Sequence, residues 1–314
     1  MVANSTPPSA EEIDRAIGKL ISLRDGDMGV VDVAACGKRA IPALRSILFA
    51  REPSGLYEPR RRAVEALARL GARDVLIEFL SASRMITDPV ERTGEDAVIN
   101  AAARAIAASP DDRVIPLLLD LAERRPLAGI IEALGELRCQ AAVPSIIKGL
   151  EEDFTRHAAE QALRRLRRPA RAALLEAAIR RLPSEARESV SSKRRRCSAL
   201  GLIAEFGPLG KKTWLPLRPL MRDEDPAIAA IACRICLSMA SNDEKAAAIW
   251  RLTNLLATAD WLLSGEIEDC LVTHFDFAEK IVGELLSRAD AISEAGSHRL
   301  PLTRALRRVI NRAR

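Results

Sequence analysis

Apolar and small residues recur along this chain in short bursts at helical spacing. Ile13, Ile17, Leu20 and Ile21 line one face of a first helix, and Ser9-Ala-Glu-Glu12 before it is a capping-box pattern. The bursts then repeat. AVEALARLG (63–71), IIEALGELR (130–138), AAEQALRRLR (158–167) and CSALGLIAEFG (197–207) share one rhythm, closing on a large apolar residue and usually Gly or Arg. INAAARAIAAS (99–109) and AIACRICLSMA (230–240) are looser copies. The closing apolar residues serve as anchors: Leu70, Leu137, Leu166, Phe206 and Met239, with Ala107 in the degenerate copy. Successive anchors lie 37, 30, 29, 40 and 33 residues apart.

Between the copies lies a second helical element, often with proline in its first turn: AIPAL (Pro42), VIPLL (Pro116), AVPSI (Pro144) and WLPLR (Pro216). Proline suits that turn, where its missing N–H has no partner to lose. DVLIEFL (74–80) and ARAALLEAAI (170–179) fill the intermediate places without it. A period in the thirties made of two helices predicts an all-α protein, an α-solenoid of roughly seven to eight stacked pairs. Each pair is too apolar to stand alone, and Ala63, Ala66, Ala133 and Ala162 let neighbours approach closely. After Asn242 the pattern loosens. Ser241-Asn-Asp-Glu244 is a second capping box opening AAAIWRLTNLLAT, with further helices expected in LSGEIEDCLVTHF, AEKIVGELLSRA and PLTRALRRVINRA. The expectation is one array over residues 1–314, with a capping helix region at 1–29, the clearest repeats over 30–240 and a divergent helical cap at 241–314.

The phrases RAIPALRSIL, EALGELRCQAAVPSIIKGLEE and TRHAAEQALRRL resemble HEAT repeats, especially the short bacterial form named after phycobilisome lyases. The resemblance covers residues 30–240 and is strongest over 130–166. It implies an armadillo-type array whose second helices line the concave side. Function is left open, because such arrays serve as binding scaffolds in unrelated pathways.

Composition narrows the class. Hydrophobic residues make up 48% and aromatic residues only 3%, too few for a sheet-rich sandwich or barrel of this length. The N-terminus lacks the apolar stretch of a secretory signal, and no long apolar run spans a membrane, so a cytoplasmic protein is expected. Six cysteines scattered through apolar stretches read as reduced, packed thiols.

Net charge is only +5 but unevenly spread: −4 over residues 1–155, +11 over 156–218, −8 over 219–298 and +6 over 299–314. The central block is expected to form a positive band. Its densest points are Arg164, Arg165, Arg167, Arg168 and Arg171, then Lys193-Arg194-Arg195-Arg196, then Lys211 and Lys212. Counting ten residues back from Leu70, Leu166 and Phe206 lands on Arg60, Arg156 and Arg196, a recurring arginine beside the inner surface. The other anchors give Ala97, Leu127 and Ala229. In HEAT repeats an acidic residue and an arginine often tie neighbouring turns, and Glu58…Arg61 and Asp153…Arg156 fit that role. The tetrad 193–196 sits at the positive end of a helix dipole if its helix starts there, and mid-helix if the helix starts at Ser184.

Catalytic signatures are missing. None of His157, His274 and His298 is followed by Glu, so the iron-binding His-Glu pairs of HEAT-like hydroxylases are absent. Cys233-Arg-Ile-Cys236 lacks a second pair of ligands for zinc and reads as packing. Trp214, Trp250 and Trp261 are the sparse ingredients for a HEAT-like DNA glycosylase, with Trp214 and Trp250 read as core. No phosphate loop or nucleophile elbow appears, and no metal or cofactor is expected. The leading reading is a non-catalytic protein-binding scaffold whose partner carries an acidic segment. Arg60, Arg156, Arg164, Arg165, Arg168, Arg194, Arg195, Arg196, Lys211 and Lys212 are its candidate partner-binding residues. Nucleic-acid binding through the same band is the alternative, with a HEAT-like lyase or glycosylase more remote.

Overall fold

A computed structural model describes residues 8–51, 53–82, 86–108, 111–184, 187–207, 210–239, 241–294 and 300–313. Among these the regular secondary structure is helical apart from one short antiparallel rung, Pro183–Ser184 against Arg187–Glu188. Two compact units divide the chain, Met1–Leu166 and Arg167–Arg314.

The first unit is a double row of helices. One row holds α1 (Ala10–Ile21), α3 (Ile41–Phe49), α5 (Arg73–Ser81), α7 (Val114–Arg124) and α9 (Val143–Lys148). The other holds α2 (Gly26–Ala35), α4 (Glu58–Arg69), α6 (Pro89–Ala107), α8 (Ala128–Glu136) and α10 (Asp153–Leu166). We call these the A and B rows. Each A helix packs on the B helix that follows it, and each B helix packs on the next B helix, from α2 through to α10. α2 runs across the boundary expected at residue 29 and stacks on α4.

The second unit continues the alternation. Its B row is α12 (Val190–Glu205), α14 (Pro226–Leu237), α16 (Trp261–Thr273) and α18 (Leu300–Ala313). Its A row is α11 (Arg171–Ile179), the short α13 (Lys211–Trp214) with the 3-10 helix Arg218–Arg222, α15 (Asn242–Leu255) and α17 (Phe275–Glu294). The described residues form five helix pairs in one unit and four in the other.

The anchors mark helix ends. Leu70, Leu137 and Phe206 are C-caps, Ala107 and Leu166 are last residues, and Met239 follows the C-cap Ser238. The Gly or Arg behind them has a backbone reason. Gly71, Arg138, Arg167 and Gly207 take φ of +66°, +48°, +49° and +88°, the left-handed turn that closes a helix. At Gly71 the following amide, Ala72, donates to the Leu67 carbonyl at 2.9 Å, satisfying an end that would otherwise be orphaned.

Capping follows the chemistry in most places. Ser9 and Glu12 form the reciprocal box, with Ser9 N–H to Glu12 at 2.7 Å and Glu12 N–H to Ser9 Oγ at 3.2 Å. Ser241 is an N-cap by backbone, but its side chain accepts no capping bond and instead reaches the Glu244 carboxylate at 3.4 Å, so the second box is not formed. Pro42, Pro116 and Pro144 lie in the first turns of α3, α7 and α9 as expected. Pro216 does not. It falls in the turn between α13 and the 3-10 helix, and with Pro219 it splits this A helix in two, since proline can neither donate to nor fit inside a continuous helix.

Candidate functional site

The arginine ladder is internal. The Arg60 side chain is 6% exposed: Nε donates to the Leu48 carbonyl at 2.9 Å and Nη1 meets Glu95 at 2.6 Å. The Arg196 side chain is 0% exposed, with Nε on the Ala178 carbonyl at 3.0 Å, Nη1 on Glu188 at 2.7 Å and Nη2 on Asp223 at 2.6 Å. Leu48 and Ala178 are the penultimate residues of α3 and α11. Both arginines thus do one job. Each satisfies an orphaned carbonyl at the end of its own A helix and ties the result to a carboxylate of the next repeat. Arg195 adds a bond from Nη2 to the Arg180 carbonyl, the C-cap of α11, at 2.6 Å and is also buried.

These placements correct the expectation that Arg60, Arg195 and Arg196 line a partner surface: all three are buried within the fold. Arg156 departs from the ladder for a visible reason. Thr155, buried beside it, donates from Oγ1 to the Gly149 carbonyl at 2.7 Å, and Arg156 is left outside, 3.4 Å from Asp153 on its own helix. Glu58 and Arg61 likewise pair within α4 at 2.9 Å, so neither of the two proposed ties reaches a neighbouring repeat. The tetrad 193–196 follows neither alternative. Ser189 caps α12 by accepting from the Ser192 amide, the helix starts at Val190, and the four cations occupy its second turn.

The remaining candidates stay outside. Arg165 meets Glu136 at 2.7 Å, and Arg164 lies 3.8 Å from Glu160. Arg168 and Lys212 are exposed, Arg194 is half-buried, and the Lys211 side chain lies outside the described residues, as does His298. In the first unit Arg165 borders a groove of about 350 Å³ across α6, α8 and α10. Ala107, Ala133 and Ala158 form its floor, and Arg104, Glu132, Glu136, His157 and Gln161 complete its sides. Arg104 pairs with Glu132 and Arg165 with Glu136, each pair bridging adjacent B helices. Arg104, Glu132 and Glu136 were not singled out from sequence, although separations of 28 and 29 residues within each pair match one repeat.

A larger cleft of about 700 Å³ opens in the second unit between the 3-10 helix and α15. Trp250, read from sequence as core, is half-buried and lines it with Met221, Ala247, Asn254, Arg218, Arg222, Arg251, Asp243 and Glu244. Trp214 is core at 3% exposure, and Trp261 is 86% exposed.

Burial pushes the Cys233 and Cys197 thiols up to about 12 and the Cys236 and Cys270 thiols up to about 11. Such groups stay protonated near neutral pH, unlike reactive thiolates. No cluster of three or more His, Cys, Asp or Glu side chains placed to hold a metal ion occurs among the described residues. No described helix is long and apolar enough to cross a membrane.

Stacked A and B rows tied by one-repeat ion pairs define a helical-repeat protein of the α-solenoid class. Within it, residues 127–152, from the N-cap of α8 through the 3-10 turn that follows α9, match the PBS lyase HEAT-like repeat. No curated protein matches the chain. Solved structures similar to it include the complex of CpcE and CpcF of phycocyanin lyase from Nostoc sp. PCC7120. That similarity is 22% in identity, covers 86% of this chain and 98% of that one, and has a TM-score of 0.35, too low to inform chemistry.

Proposed function

We propose that the protein is a non-catalytic scaffold that holds an acidic segment of a partner protein against the B face of its first unit. The observation behind this reading is the alanine-floored groove of α6, α8 and α10, rimmed by half-exposed Arg104 and Arg165. Ion pairs this exposed contribute about 0–1 kcal/mol. A carboxylate on an incoming segment therefore exchanges with Glu132 or Glu136 at little cost, while Ala107, Ala133 and Ala158 leave room for its side chains. Arg164 and Arg156 lie on the same helix as Arg165 but on other faces of it, outside the groove. Nucleic acid fits the groove less well: no Phe, Tyr or Trp lines it for base stacking.

A photo-crosslinking residue at Gln161, used in the native host, tests the reading. Capture of a protein through a peptide rich in Asp and Glu is expected, and Arg104→Glu with Arg165→Glu should abolish it without unfolding the protein. Capture that survives charge reversal, or captured peptides without carboxylates, would overturn the proposal.

A further inference from the structure

The cleft in the second unit exists because Pro216 and Pro219 interrupt an A helix. Where a full helix would pack against α15, the chain supplies a four-residue turn of helix and a 3-10 segment, leaving about 700 Å³. That volume lies in the range of small-molecule sites, which combine an apolar body with a few placed polar groups. Trp250, Met221 and Ala247 form the apolar wall.

The charged groups are not equivalent. Arg218 is held by Glu244 at 3.0 Å. Arg251 is held by the Met221 and Asp223 carbonyls at 3.2 and 3.1 Å. Arg222 and Asp243 are exposed, and neither has an ion-pair partner among the described residues. One cation and one carboxylate thus remain to receive a ligand, beside an aromatic wall.

We propose that this cleft binds a zwitterionic, amino-acid-like molecule with an aromatic or large aliphatic side chain. Its carboxylate takes the Arg222 guanidinium, its ammonium takes Asp243, and its side chain lies on Trp250. Arg218 and Arg251 hold the walls rather than the ligand. The site is separate from the groove of the first unit and does not rest on the partner reading.

Three probes test it against the ¹⁵N-labelled full chain: phenylalanine, phenylalaninamide without the carboxylate, and phenylpropionate without the amine. The indole N–H signal of Trp250, assigned with Trp250→Phe, is the readout. Phenylalanine at millimolar concentration should shift it saturably, and each truncated probe should bind about tenfold more weakly. Arg222→Gln should remove the discrimination against the amide, and Asp243→Asn that against phenylpropionate. Both residues are exposed, so the variants retain the fold. An unmoved Trp250 signal, equal binding of all three probes, or discrimination unchanged in the variants overturns the assignment.

Discussion

Arg60 and Glu95 show how one residue position carries the stack. Their side chains are 6% and 4% exposed, and the pair joins α4 to α6. Removing one partner of such a pair leaves the other charged and dry, a loss of about 3–5 kcal/mol, whereas replacing both by apolar groups is often neutral. Glu95→Ala is therefore expected to lower stability by about that amount in urea unfolding, and Arg60→Met with Glu95→Leu to recover most of it. Equal destabilisation by the single and double changes would show that the pair is not what holds the position. The recurrence of Arg60, Arg156 and Arg196 ten residues before an anchor was legible in the sequence, but its meaning was not. A buried arginine and a solvated one are the same letter. Their fates diverge on whether a helix-end carbonyl remains open beside them, and at Arg156 the Thr155 hydroxyl has taken it.

Elements are held at close range by small residues. A Cβ on Gly129 would lie 2.4 Å from the Asn100 backbone oxygen, and one on Gly135 would lie 2.6 Å from the Ala162 Cβ, so α6, α8 and α10 stack nearly backbone to backbone. Asn100 also caps its neighbour, accepting the Gly129 amide at 2.6 Å on Oδ1, where Leu127 as N-cap offers no side-chain acceptor. Gly129→Ala gains helix propensity of about 1 kcal/mol yet forces a backbone contact apart, an overpacking cost of about 1–3 kcal/mol. A fall in melting temperature is expected, while Gly18→Ala, with open space around it, should leave or raise it. A stabilising Gly129→Ala would refute the close stacking. Four of the B-helix ends were readable because each carries a local signal, the anchor followed by a left-handed Gly or Arg. The splitting of the A helix at Pro216 was not, because proline in a first turn and proline ending a helix look alike until the residues before it are placed. The groove was hidden for another reason: it arises from three alanines on three different helices, none unusual by itself.

Charge balance is settled across the whole second unit rather than by any single pair. The basic block of residues 156–218 contributes Arg181, Lys193 and Arg196, which meet Asp223 or Asp225 of the acidic block that follows. The basic C-terminus contributes Arg308 and Arg312, which meet Glu268 and Asp269 of the same acidic block. Part of the positive band expected from sequence is thus paired with the acidic stretch that follows it in the chain. Asp223 is the centre of this arrangement. Burial pushes its carboxyl up, but hydrogen bonds from Arg196, the Asp225 amide and Arg181 outweigh burial and hold it below the ordinary carboxylate range. A lowered value means the unfolded chain binds the proton more readily. The stabilisation is therefore fully present above about pH 4 and is lost as pH falls through the lowered value. Protonation there also takes from Arg196, whose side chain has no exposure to water, one of its two carboxylate partners and leaves Glu188. Urea midpoints followed from neutral to acid pH should fall steeply below about pH 4 in the wild type. Asp223→Asn should start lower at neutral pH and decline less over the same interval, since its share of the proton uptake is gone. Parallel curves would place the acid sensitivity elsewhere in the molecule.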